Sequence, residues 1–114
     1  RTSICRALVH EPEILMLDEP FAALDAFTRE ELWCTLRDLQ AAKRVTVLLV
    51  THDLREAVFL ADRVFVMSAR PGRFIRDFRI PFERPRDYNI TATTEFGNYV
   101  REIRQLLVQH GDNE

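Results

Sequence analysis

The sequence predicts an α/β fold: parallel strands with flanking helices, then a terminal β-hairpin and a C-terminal helix. Three observations carry this. The runs at 13–18 ("EILMLD") and 45–50 ("VTVLLV") are short and almost continuously apolar, as in strands buried on both faces of a parallel sheet. Between them Leu32, Leu36 and Leu39 fall at i, i+4, i+7, the spacing of a helix face turned to a core. Further on, "RVFVM" and "RFIRDFRI" flank Arg70-Pro71-Gly72, a turn signal between two strands.

The elements follow in order. "RTSICRALVH" reads as the interior of a helix, with Ile4, Ala7 and Leu8 on one face and no capping residue before them. Glu11-Pro12 ends it. The chain begins at Arg1, not Met, and carries no secretory leader pattern, so it is expected to start inside an element, as a fragment. The first strand closes on Asp18-Glu19, and Pro20 prevents its continuation. Asp25 is the expected N-cap of a helix over 26–42, with Glu30 and Glu31 in its early turns. Strand, helix, strand at this spacing is a βαβ unit, so the two strands should run parallel with a right-handed crossover.

After "THD" a further helix is expected, with Asp53 and Glu56 at capping-box spacing and an apolar stripe of Leu54, Ala57, Val58 and Ala61. The strands at 63–67 and 73–80 should pair antiparallel at a sheet edge. The segment 81–93, with Pro81 and Pro85, reads as irregular. Thr94 is the expected cap of a last helix striped by Phe96, Tyr99, Val100, Ile103, Leu106 and Leu107.

Composition limits the function classes. The 114 residues amount to one domain at most, and 46% hydrophobic with 30% charged residues is a globular balance. Sixteen Lys and Arg against eighteen Asp and Glu give a net charge of -2, which offers no electrostatic case for nucleic acid. No apolar run approaches the roughly 18–20 residues of a membrane span. Cys5 and Cys34 have no metal-ligand spacing and read as small hydrophobes of predicted helices, consistent with a reducing compartment.

The chemistry gathers where both apolar strands end. In open α/β sheets ligands sit beyond the carboxyl ends of the parallel strands. The first strand ends in Asp18-Glu19, the second in Thr51-His52-Asp53. Strand alternation should turn Asp18 and Glu19 in different directions, one carboxylate toward a hard cation and its neighbour toward a water. Taken singly, His52 reads as a strand-end histidine and Asp25 as a helix cap; their joint spacing sets them apart.

"LMLDEPFAALD" resembles the Walker B motif and D-loop of the ATP-binding cassette (ABC) ATPases, a branch of the P-loop NTPases. "VLLVTHD" resembles their switch-histidine loop, and "RTSICRAL" the helix after their signature motif. The resemblance covers residues 1 to about 70, in the family's order. It implies that Asp18 holds Mg²⁺ through water, that Glu19 is the general base or orients the attacking water, and that His52 contacts the γ-phosphate of ATP. Ala23, Leu24 and Asp25 would form the D-loop, which touches a partner subunit at the nucleotide; Ala23 stands where Ser is common. Residues 1–80 would then be the C-terminal part of the catalytic domain, and 81–114 a linker and amphipathic helix.

"MSARPGRF" and the later "PRD" are similar to the ATPases of importers for nitrate, sulfonate, taurine and related solutes. That resemblance implies a second ATPase subunit in a homodimer, membrane permease subunits, and a solute-binding protein reached indirectly. It also implies a peripheral location on the cytoplasmic face of the bacterial inner membrane. The alternatives are an ABC ATPase of another class, in DNA repair or translation, and a truncated product with no function of its own. A P-loop needs G-x-x-x-x-G-K-[ST], and this sequence has only Gly72, Gly97 and Gly111 and the single Lys43, so Walker A is absent. The Gln loop and "LSGG" signature are absent as well. The chain alone is therefore expected to be inactive.

Overall fold

The computed structural model describes residues 14–43, 45–68 and 72–110. The predicted helix at 1–10, its break at Pro12, and Cys5 lie outside the described residues. The chain divides into two compact units, Arg1–His52 and Asp53–Glu114.

In the first unit, β1 (Ile14–Asp18) is followed by α1 (Ala26–Lys43) and β2 (Thr46–Val50). The strands pair in parallel, with Ile14 opposite Thr46 and Asp18 opposite Val50, as a βαβ unit requires. Asp25 caps α1 as expected: its Oδ1 accepts the Thr28 N–H at 3.3 Å. Hydrogen bonds from Thr28, its side chain first and its N–H after it, hold the Asp25 carboxyl below its ordinary value. Among the described residues of this unit, Leu15, Leu17, Phe21, Trp33, Leu36 and Val45 are the buried apolar side chains.

Burial of both strand faces, expected from the apolar runs, is not what this chain shows. β1 alternates strictly: Leu15 and Leu17 are buried, whereas Ile14 and Met16 are 63% and 65% exposed. Leu48 and Val50 of β2 are also exposed. A two-stranded sheet has two faces, and one helix layer covers only one of them.

In the second unit, α2 (Leu54–Leu60) starts at its cap Asp53, whose side chain accepts the Glu56 N–H at 3.2 Å. β3 (Arg63–Met67) and β4 (Phe74–Arg79) form the expected antiparallel pair, with a bulge at Val66/Met67. Of the predicted turn only Gly72 is described; its φ of +75° suits the residue that needs no Cβ clearance. Ser68 closes the hairpin by donating its N–H to the Arg73 carbonyl at 2.8 Å and accepting the Arg73 N–H on Oγ at 3.0 Å.

The segment read as irregular contains a 3-10 helix, Tyr88–Ala92, capped by Asp87, which accepts the Asn89 N–H at 2.8 Å. α3 (Thr94–His110) follows, with Phe96, Val100 and Ile103 buried. Its cap is Thr93, not Thr94: Thr93 Oγ1 accepts the Phe96 N–H at 3.2 Å. The shift has a local cause. Thr93 also ends the 3-10 helix in an extended conformation, so one residue separates the two helices.

Arg86, of the "PRD" motif, is 2% exposed. Its Nη1 donates to the carbonyls of Val58, Phe59 and Ala61 at 3.2, 3.0 and 2.7 Å, the open C-terminal end of α2. Its Nη2 and Nε reach the Ile80 and Phe82 carbonyls at 3.2 and 3.1 Å. Burial, then the nearby Arg84 charge, lowers its pKa to about 10, so it remains a cation at neutral pH. The motif is thus a buried helix cap joined to a 3-10 cap.

Candidate functional site

β1 and β2 end level with each other. Asp18 is the last residue of β1, opposite Val50. The ladder runs one bond further, because the Glu19 N–H donates to the Val50 carbonyl at 2.7 Å. Glu19 has φ +47°, a left-handed conformation on a residue with a Cβ. Such backbone costs about 1–2 kcal/mol and tends to occur at functional sites. It removes Glu19 from the alternation of the strand, so the two carboxylates differ by backbone conformation and not by strand parity alone.

The chain then turns through residues 20–25. The Ala22 N–H donates to the Glu19 carbonyl at 3.3 Å, and the Leu24 N–H to the Phe21 carbonyl at 3.2 Å. Phe21 is buried and anchors the turn, while Ala22 and Ala23 are exposed.

Thr51 and His52 follow β2 directly. His52 Nε2 lies 3.1 Å from Glu19 Oε2, with the imidazole side chain 90% exposed and the carboxylate side chain 35% exposed. The structure therefore brings Glu19 and His52 into contact and puts Asp18 beside them. Asp25 stands apart, at the end of the turn, engaged as the α1 cap. Glu19 and His52 are paired at the surface, where both side chains are open to a ligand beyond the strand ends.

Mg²⁺ takes oxygen ligands, keeps several waters, and commonly uses one or two carboxylates with substrate phosphates. Asp18 is exposed and supplies such an oxygen. Among the described residues no three His, Cys, Asp or Glu form a metal cage. A single exposed carboxylate fits a cation that arrives with a phosphate ligand.

Sequence reading located these residues but missed two others. Arg29 donates from Nη2 to the Leu24 carbonyl at 2.7 Å, tying the turn to α1. In the sequence Arg86 stands out only as part of the "PRD" pattern. Its irregular surroundings gave no periodicity from which burial could be inferred.

No protein-family model matches the chain. It is 53% identical over 87 residues to an aliphatic sulfonates import ATP-binding protein of Pseudomonas aeruginosa, covering 76% of this chain and 35% of that one. It is 52% identical over 88 residues to the nitrate import ATP-binding protein of Synechococcus elongatus, covering 76% and 32%. Among solved structures it is similar to cbiO1 from Clostridium perfringens, part of the ABC transporter complex cbiONQ. The TM-score there is 0.58 with 29% identity, over 90% of this chain and 36% of that one. The fold is that of part of an ABC-type P-loop ATPase. The chain belongs to the ABC transporter ATP-binding proteins and resembles those of sulfonate and nitrate importers. It spans about a third of the length of the curated relatives it matches.

Proposed function

We propose that this chain supplies the Walker B, D-loop and switch-histidine part of an ATP-hydrolysing subunit that drives import of a small solute such as nitrate, a sulfonate or taurine. The observation that carries the reading is the 3.1 Å contact between Glu19 and His52 at the level ends of two parallel strands, with Asp18 adjacent. Residues 1–80 form part of the catalytic domain, and residues 81–114 a linker and amphipathic helix. Polypeptide outside these 114 residues provides the phosphate cradle, since no Walker A sequence occurs within them.

Glu19 accepts a proton from the attacking water or fixes its orientation. Its left-handed backbone, held by the Val50 carbonyl, sets where the carboxylate stands. His52 contacts the γ-phosphate of ATP and ties that contact to Glu19. Asp18 would hold Mg²⁺ through water, and the ion would supply charge neutralisation for the phosphates. Ala23, Leu24 and Asp25 meet a second ATPase subunit at its nucleotide, in a homodimer. Phosphoryl transfer needs mainly positioning and charge stabilisation, which suits this set of residues.

The partners of the complete subunit are membrane permease subunits and, through them, a solute-binding protein. The subunit is peripheral on the cytoplasmic face of the bacterial inner membrane. Among the described residues no helix is long and apolar enough to cross a membrane. Identities of 53% and 52% to sulfonate and nitrate importers support the solute class.

The test is Glu19→Gln in the complete ATP-binding subunit. The substitution keeps the shape and removes the base. Hydrolysis should fall by about 10²–10⁴-fold while ATP binding persists; a rate within about threefold of the parent overturns the reading.

A further inference from the structure

We infer that Arg29 is a positioning residue of the D-loop, fixing the turn that carries Ala22 and Ala23; this rests on the ATPase reading above. Two independent observations support it. The first is geometric. The Leu24 carbonyl precedes the α1 cap, so it takes no part in the ladder of that helix. Arg29 Nη2 donates to it at 2.7 Å from a part-buried position one turn into α1. A charged donor makes this a stronger bond than a neutral one. It joins the turn to a helix whose Trp33 and Leu36 are buried.

The second observation is electrostatic. The N-terminal turn of a helix favours acids and disfavours cations. The first turn of α1 contains no acidic residue, and Arg29 stands four residues after the cap Asp25, whose carboxylate is its favourable charge neighbour. Arg29 therefore engages the end of the turn twice, by charge at Asp25 and by a hydrogen bond at Leu24. The backbone bonds of the turn, Ala22 to Glu19 and Leu24 to Phe21, are both longer than 3 Å, and the Arg29 bond is shorter than either. Without the Arg29 bond, Glu19, at the start of the turn, and Asp25, at its end, would be less firmly related to each other.

The experiment uses the complete ATP-binding subunit with Arg29→Met and Arg29→Lys, and Glu19→Gln as the control. Methionine keeps the apolar stem and removes the donor. We expect Arg29→Met to lower kcat on the order of 10²-fold, the scale of a misplaced group remote from the chemistry, with KM for ATP unchanged. Its Tm should change little, since an exposed charge pair one helical turn apart contributes little to stability. Hydrogen exchange at the 22–25 amides should quicken, and Arg29→Lys should recover part of both kcat and protection. Unchanged kcat in Arg29→Met, beside a dead Glu19→Gln control, overturns the role of Arg29 and leaves the ATPase reading intact. A Tm lowered in parallel with kcat also overturns it, because the arginine would then be a stability residue. A fully active Glu19→Gln control overturns Glu19 as the base, and with it the site reading this rests on; faster exchange at 22–25 would still report the hold of Arg29 on the turn.

Discussion

Glu19 is under opposing demands. Its backbone is left-handed and its side chain carries the proposed chemistry. Glycine at this position would remove about 1–2 kcal/mol of conformational cost and add roughly 0.5–1 kcal/mol of chain entropy to the unfolded state. Glu19→Gly should therefore leave Tm unchanged or slightly raised while abolishing hydrolysis, as differential scanning calorimetry beside a phosphate-release assay would show. A clear fall in Tm would mean that the Glu19 side chain contributes to stability. His52 offers the complementary case. Its imidazole is almost fully exposed, so His52→Ala should change stability by less than about 0.5 kcal/mol and still lower turnover. A loss of several kcal/mol would make it a structural histidine. The identities of Asp18, Glu19 and His52 as strand-end groups were legible from the apolar runs before them. The left-handed backbone was not, because Glu has no preference for it; it follows from the hydrogen bond to Val50 and from Pro20, which bars a longer strand.

At the scale of elements, the strands and helices were legible wherever periodicity was sustained, and boundaries moved where two elements share a residue, as at Thr93. Caps were legible by residue type. Asp25 is the cap whose charge can be tested. The Thr28 hydrogen bonds lower its folded pKa below the unfolded value, so its contribution is present above the unfolded carboxylate pKa and is lost as pH falls through the folded one. Asp77 behaves in the same sense, because the Arg63 guanidinium bonds its carboxylate. Asp25→Asn keeps a capping oxygen but does not titrate, so acid titrations followed by circular dichroism should show a weaker loss of stability below pH about 4 in the variant. The buried cap at the other end of the sequence should be costlier to lose. Arg86→Met strands carbonyls at the end of α2 and should cost more than about 2 kcal/mol. Arg84, an exposed partner of Asp62 at 2.7 Å, should cost less than about 1 kcal/mol when changed to Ala. Denaturant unfolding of the two variants separates a structural "PRD" from a decorative one; equal effects would remove Arg86 from its place as the anchor of α2.

At the scale of the molecule, each unit carries a sheet with apolar side chains on an open face. Ile14, Met16, Leu48 and Val50 are exposed in the first unit, and Phe65, Met67 and Phe74 in the second. The apolar runs announced strands that expect cover on both sides; they did not announce which side would lie bare, since both strand faces are equally apolar in sequence. Neighbouring exposed apolar side chains and unpaired strand edges favour association. The 114-residue chain alone should therefore self-associate in light scattering. Without a glycine-rich phosphate loop it should show no ATP binding by calorimetry. A double substitution separates these effects. Met16→Glu with Leu48→Lys places opposite charges at Cα-paired positions of the open face, where they can pair across the strands. In the isolated chain this should reduce association and keep the helical signal, because neither side chain is in the core. In the complete ATP-binding subunit the same charges should impair folding, if the family fold covers that face. A monodisperse parent chain that binds ATP in a Mg²⁺-dependent way would show instead that these 114 residues hold a whole nucleotide site.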